Sequence, residues 1–251
     1  MLKIIGMLSL MLCGLTTSGL IYAAPFDAVN NPARSLADRE RDKTSKPNVV
    51  LNFIGLKPGM KVLDLFAGGG YYTEMLSYAV SPGGQVISHT NAAYEGMTGE
   101  EAANRFKDNR LPNVRRVITE INNLGLEEAS LDVVLMALVY HDIYFTADYW
   151  PEVDRDNFFR QIHGSLKPGG LLIVIDHSAI ADTGMSAAQS LHRIDEVFAK
   201  QDVESAGFVF GGASEVLRNP DDTRTLSVFN KVIRRKTDRF VYRFIKPLIQ
   251  I

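Results

Sequence analysis

Cysteine is nearly missing from this chain: the sole one, Cys13, lies within the first fifteen residues. Loss of that segment would leave no thiol, which excludes a disulfide framework, thiolate metal sites and a cysteine nucleophile. Excess charge is missing as well, because 27 Lys+Arg face 29 Asp+Glu for a formal net charge of -2. Such a balance builds no field that would gather nucleic acid or an anionic membrane surface, so neither is an expected partner. Internal repeats and low-complexity tracts are absent too. What remains is a 251-residue chain, 46% hydrophobic and 22% charged, long enough to bury a sizeable core.

The N-terminus differs from the rest. Lys3, an apolar run from Ile4 to Leu15 and then LIYAAP have the order of a secretory signal peptide with small residues at its cleavage point. Gly6, Ser9, Gly14 and Thr16 to Gly19 dilute the run, whereas a permanent span needs roughly 20 predominantly apolar residues. The expectation is residues 1–24 as signal peptide, cleaved near Ala23 or Ala24, a periplasmic or secreted product and no stable membrane span afterwards. Leu12 before Cys13 speaks against a lipid anchor. Residues 25–45, with RSLADRERDK at their centre, read as an exposed leader, and residues 46–251 as the folded domain.

From Pro47 the patterning alternates. NVVLNFIGL carries apolar residues at helical spacing, KVLDLF is a short buried strand, and YYTEMLSYAV is a helix. QVISHT, NVRRVIT, LDVVLMALV and LLIVIDH follow as strands, with EEAANRFKD and PEVDRDNFFRQIHGSL as helices between them. Strands buried on both faces and separated by helices predict a mostly parallel α/β sheet of Rossmann-like, doubly wound type. One long helix is expected around HRIDEVFAKQDVESAG, and FVFGGASEVL and DRFVYRFIKP, with no helical segment between them, suit an antiparallel pair at the sheet edge.

VLDLFAGGGYYT places three glycines, Gly68, Gly69 and Gly70, at the turn between the first strand and its helix, where a ligand can approach backbone without meeting a Cβ. A dinucleotide fingerprint fails, since Thr73 stands where its third glycine or alanine belongs, and no acid follows for a nicotinamide ribose. No Gly-Lys-Ser/Thr follows either, so a P-loop is excluded. The order D-L-F-A-G-G-G resembles motif I of the class I S-adenosylmethionine-dependent methyltransferases. The resemblance extends through NVRRVITEINNLGLEEASLDVVLMALVYHD and LKPGGLLIVIDH, and ADRERD, LHRID, LRNPDD and TDRFVYRFIKP are similar to predicted bacterial methyltransferases that often carry an export signal.

That resemblance implies S-adenosyl-L-methionine as cofactor, held by Asp64, Phe66, Ala67, Gly68, Gly69 and Gly70, with Glu120 and Ile121 on the adenine side. The family's second strand usually ends in an acid that grips the ribose; here it ends Ser88-His89-Thr90-Asn91, so His89 and Asn91 are the substitutes, with weaker neutral hydrogen bonds. Over the methyl group the resemblance places Tyr140, His141 and Asp142. His141 is the expected general base, because an imidazole titrates near neutrality. His177 is the second candidate. His192, Asp195 and Glu196, at i, i+3 and i+4, could orient an acceptor or bind a metal, but a hydrogen-bonded surface face is favoured and no metal is assigned.

VYHD lacks the Asn/Asp-Pro-Pro-aromatic run of enzymes that methylate base amino groups, which points to a small-molecule or surface-accessible acceptor. Two other readings stay open: a non-catalytic exported binding protein on the same fold, and an NAD-type oxidoreductase. Oligomeric state is open.

Overall fold

The computed structural model describes residues 25–248; the expected signal segment lies outside the described residues. Three helices come first, α1 (Pro25–Val29), α2 (Leu36–Ser45) and α3 (Pro47–Ile54), followed by β1 (Lys61–Leu65), α4 (Tyr71–Ala79), β2 (Gln85–Thr90), α5 (Ala92–Phe106), β3 (Val114–Ile118) and β4 (Leu131–Ala137). The second half runs α6 (Arg155–Ser165), β5 (Leu166–His177), α7 (Ala188–Leu191), α8 (Glu196–Ser205), β6 (Val209–Ala213) and β7 (Arg239–Ile245).

The strands form one seven-stranded sheet in the order β3-β2-β1-β4-β5-β7-β6. β1 to β5 are parallel to one another, and β7 inserts antiparallel between β5 and β6. Alternate side chains leave a strand on opposite faces, and both faces are buried here. Leu63, Val134, Met136, Leu172, Val174, Phe240 and Phe244 belong to one core with Phe158, Phe159 and Ile162 of α6. Val62, Val133, Leu135, Ile173, Ile175 and Val241 belong to the other, with Val50, Leu51 and Ile54 of α3 and Met75 and Leu76 of α4. This is the mostly parallel sheet expected, with the antiparallel pair β6–β7 completing the class I methyltransferase architecture.

Local chemistry sets the boundaries. Ser35, Asn91, Asp154 and Asp195 each accept a backbone N–H as N-caps of α2, α5, α6 and α8. Pro47 opens α3 and Gly55, at φ +77°, closes it. Gly70, at φ +81°, turns the chain from β1 into α4.

Two expectations are corrected. The segment 25–45 is not an exposed leader: Ala28, Val29, Arg34 and Asp38 are buried. Arg34 donates to Val29 O at 2.6 Å and grips both carboxylate oxygens of Asp42 at 2.7 and 2.8 Å. Asp38 receives Arg105 of α5 at 2.6 Å, and the same guanidinium reaches Glu74 of α4 at 2.6 Å. A segment of mixed charge read as solvated therefore buries its charges as pairs, which no charge count distinguishes. The long helix around residues 192–206 is broken, because His192 adopts φ +53° as the C-cap of α7 and Asp195 starts α8. His192, Asp195 and Glu196 consequently share no helix face. No helix among the described residues is long and apolar enough to cross a membrane.

Candidate active site

At the carboxyl ends of β4 and β5 lies a cavity of about 530 Å³, lined among others by Leu138, His141, Asp142, His177, His192 and Arg239. Asp176, fully buried at the end of β5, organises its floor. Its carboxylate accepts the His141 backbone N–H at 2.7 Å, the His177 backbone N–H at 2.7 Å, and the His141 ring Nδ1 at 2.9 Å. The turn after β4, Leu138 at φ +65° and then a 3-10 segment His141–Tyr144, is thereby fixed against β5. A carboxylate only accepts, so Nδ1 carries hydrogen and Nε2 is the atom His141 offers to the cavity side.

Burial lowers the His141 pKa, but the charges of Asp176 and Asp142 outweigh it and push it up to about 9. At neutral pH this imidazole is therefore a cation, which changes the expected role: it holds a proton or an anion near pH 7 and accepts a proton only in more alkaline solution. Asp142 is buried; desolvation raises its pKa, and His141, His192 and the Tyr94 hydroxyl more than reverse that, leaving it lowered. Tyr94 donates to Asp142 Oδ2 at 2.7 Å. His177 hydrogen-bonds Thr237 Oγ1 at 2.7 Å, and burial, with the positive charges of His141 and Arg239, drives its pKa well down, so it stays neutral. Tyr140 turns away from the cavity: its hydroxyl donates to Asp202 inside the core, so it does not join His141 and Asp142.

On the glycine side, Asp64 is buried and accepts the Thr73 hydroxyl at 2.6 Å; burial pushes its pKa up to about 6. Phe66, at φ +53°, sends its ring into an aromatic group with His89, Tyr94 and Trp150, at centroid distances of 5.0, 5.7 and 5.5 Å. Ala67 donates its N–H to His89 O at 2.8 Å. Gly68, at φ +55°, has Thr98 at 3.8 Å as the nearest atom to an added Cβ. Gly69 and Gly70 face α5: a Cβ on Gly69 would run into Glu101, and one on Gly70 into Arg105 and Phe106. Arg105 Nε donates to Gly69 O at 2.5 Å. Glu120 is exposed and accepts the Ala92 N–H at 3.3 Å, which caps α5 and leaves it outside the cavity lining; Ile121 is a fully buried core residue.

The end of β2 tests whether the residues present fit a nucleoside. His89 Nε2 lies 3.1 Å from Thr119 O, so it donates there, and burial lowers its pKa to about 4, leaving Nδ1 a bare acceptor. That Nδ1 and Asn91 Nδ2 are buried without partners. One acceptor and one donor are what ribose hydroxyls require, and neither position needs the missing acid. The residues fit.

Sequence reasoning missed Asp176, Tyr94, Phe145 and Phe229, and above all the arginines. Arg41, Arg234, Arg235 and Arg239 line the cavity, and none has a carboxylate within ion-pair distance among the described residues. Arg239 is 6% exposed; its Nη2 donates to Thr44 O at 2.6 Å, and its Nε has no partner. The available signal was Asp176 itself, a charge closing a strand otherwise apolar from Leu171 to Ile175.

Residues 63–174 match a protein-family profile described as a methyltransferase domain. Among curated proteins, the chain is 29% identical over 125 residues to the ubiquinone/menaquinone biosynthesis C-methyltransferase UbiE of Shewanella sediminis, covering 49% of this chain and 45% of that one. Its counterpart from Shewanella woodyi is 28% identical over 179 residues, 68% of this chain and 64% of that one. The matches thus span about half to two thirds of those relatives' length. Among solved structures, a SAM dependent methyltransferase from Aquifex aeolicus superposes with a TM-score of 0.59 at 22% identity, covering 88% of this chain and 98% of that one. Phosphoethanolamine N-methyltransferase 2 of Haemonchus contortus, solved with S-adenosyl-L-methionine, gives 0.58 at 14% identity, over 90% of this chain and 60% of that one. Sheet order, profile and a nucleoside-compatible β2 end agree: the chain has the class I methyltransferase fold, residues 63–174 match a methyltransferase domain, and S-adenosylmethionine is the cofactor these features support.

Proposed function

We propose that the chain transfers a methyl group from S-adenosylmethionine to a small acceptor bearing an anionic or weakly acidic oxygen, bound over the ends of β4 and β5. The observation that carries this reading is Arg239, a buried guanidinium with no carboxylate partner, in a cavity that also presents the His141–Asp176 pair. A buried unpaired cation is costly, and an anionic ligand offsets that cost. When bound, S-adenosylmethionine supplies a methyl on a positively charged sulfur, which leaves as a thioether with the bond's electron pair when an acceptor lone pair takes the carbon. The chain's own residues do the rest. His89 and Asn91 bind the ribose hydroxyls, Trp150 and Phe145 exclude water, and the arginines, with His141 beside them, orient the acceptor oxygen. The relatives' C-methyl transfer in ubiquinone and menaquinone biosynthesis makes hydroquinone-type phenols the first to try, since a phenolate pushes electrons to the ring carbon that takes the methyl and then gives up its hydrogen as a proton to water.

Calorimetric titration of the purified protein with S-adenosylmethionine and its demethylated product is the first test; absence of binding would favour a non-catalytic protein on this fold. Release of labelled methyl onto a panel of phenols and carboxylates is the second. Arg239→Ala separates two anions: a weakened cofactor means that Arg239 holds the cofactor's carboxylate, while a raised acceptor KM with unchanged cofactor affinity means that it holds the acceptor. Neither effect would remove Arg239 from the site and overturn the anionic-acceptor reading.

A further inference from the structure

Three side-chain atoms converge beside the cavity floor. His141 Nε2 lies 3.3 Å from His192 Nδ1 and 3.3 Å from Asp142 Oδ1, and His192 Nδ1 lies 3.8 Å from that same oxygen. A triangle with those sides has a point about 2.0 Å from every corner, the length of a bond from zinc to imidazole nitrogen or carboxylate oxygen, about 2.0–2.2 Å. Their approach brings two imidazole nitrogens and a carboxylate together with no hydrogen bond better than 3.3 Å among them.

What stands behind each donor matters as much. His141 gives its other nitrogen to Asp176, the carboxylate–histidine arrangement that fixes a ligand's tautomer. Asp142 gives its other oxygen to the Tyr94 hydroxyl, leaving Oδ1 for the cluster. His192 is held between the rings of Phe145 and Phe229, at centroid distances of 4.9 and 4.8 Å, and its left-handed backbone at φ +53° is what breaks the α7–α8 helix and turns the ring inward. Asp142 and Asp176 together offer the negative charge that would balance a dication. His141 and Asp142 are buried, so this is not the exposed acidic cluster that commonly stays empty of metal.

We propose that His141 Nε2, Asp142 Oδ1 and His192 Nδ1 bind one divalent transition-metal ion whose remaining positions open into the cavity. Two imidazoles and one carboxylate suit zinc, iron(II), cobalt or manganese, and are a poor match for magnesium, which prefers an all-oxygen shell. The role follows from the proposed function and rests on it. A metal-bound acceptor oxygen loses its proton more readily, the proton passing to solvent water. Metal binding itself does not depend on that role.

The test uses the whole metal-stripped protein titrated with Co²⁺ and Zn²⁺, followed by the visible spectrum of the cobalt and by calorimetry. One ion per chain is expected, with Co²⁺ bands of low coordination number and Mg²⁺ binding much weaker. His192→Gln and Asp142→Asn should each abolish the bands, and Asp176→Asn, acting through His141, should weaken affinity about 10–100-fold. His163→Ala, a histidine outside this cavity, should change nothing. Circular dichroism confirms that the variants fold; should His192→Gln unfold, Asp142→Asn carries the comparison. Binding of equal strength in the wild type and the folded variants, or no stoichiometric binding at all, overturns the site. Failure of methyl transfer with the metal bound would strike the proposed function and leave the metal site standing.

Discussion

At the scale of single residues, the site is governed by what burial does to charge. His89 is 1% exposed and burial holds its pKa near 4, against about 6.5 in an unfolded chain. A lowered histidine contributes stability that is fully present above the unfolded pKa and is lost as pH falls from about 6.5 toward 4. The loss is up to roughly 3 kcal/mol, since each pKa unit corresponds to about 1.4 kcal/mol. Urea unfolding from pH 7.5 to 4 should show it, and His89→Gln, which keeps a donor for Thr119 O, should flatten that part of the curve. An unaltered slope would mean that His89 does not titrate as its burial demands. Gly68 is a second residue-scale case. Its φ of +55° costs an alanine roughly 1–2 kcal/mol, yet the nearest side chain, Thr98, leaves room for a methyl. Gly68→Ala should fold with a modestly lower Tm and bind S-adenosylmethionine at least about tenfold more weakly, because the methyl occupies the approach of a ligand rather than of the protein. Retained affinity would take this glycine out of the cofactor's path.

At the scale of elements, α5 decides how the glycine turn is presented. Its N-cap is Asn91, so the residue whose buried amide nitrogen has no partner also starts the helix that runs back across Gly69 and Gly70. Arg105, near the end of α5, ties three elements: Asp38 of α2, Glu74 of α4 and the carbonyl of Gly69. The three side chains Arg105, Asp38 and Glu74 are buried; Glu74 keeps Arg110, but removing the guanidinium strands Asp38, an acid that has left water. Arg105→Ala should cost about 3–5 kcal/mol in chemical denaturation, while Glu101→Ala, whose carboxylate is 59% exposed, should stay within about 0.5 kcal/mol. Equal effects would show that the tie is a surface pair. The elements themselves were legible in the sequence wherever a run was strongly periodic: KVLDLF, LDVVLMALV and LLIVIDH are strands because apolar, β-branched residues fill both faces. The α7–α8 break was not legible. HRIDEVF has helical spacing throughout, but Ile194 pairs with the end of β5, its N–H donating to His177 O at 3.0 Å and its carbonyl accepting the Ala179 N–H at 2.9 Å, and Asp195 then accepts the Val197 N–H to start α8.

At the scale of the whole molecule, the expected export remains a statement about residues 1–24 and has its own test. Mass spectrometry of the protein from its native cell envelope should find a mature chain starting near Ala24 or Pro25, and an intact Met1 on cytoplasmic protein would end that reading. The packing of α1 and α2 adds a reason for a start no later than this. Ala28 and Val29 are core residues, and Arg34 and Asp38 link this segment to its own carbonyls and to α5, so a mature chain must keep them.

By itself the sequence determined the sheet and the turn at its centre. Alternation of buried strands with helices admits few topologies, and three glycines after Asp64 mark the sharp turn from β1 into α4, although a Cβ on Gly69 or Gly70 would meet α5 rather than a ligand. It also placed His141 and Asp142 after β4, since the chain must leave the sheet there. Only the tertiary structure decided their chemistry. Asp176, His192 and Arg239 lie 35, 51 and 98 positions from His141 in the chain, and nothing local records that a carboxylate stands behind one imidazole, that a second imidazole faces it, or that an arginine nearby has no carboxylate partner. Such facts depend on distances across strands β4, β5 and β7, which are set by packing two cores at once, and electrostatics in a buried site follows those distances rather than the order of the residues.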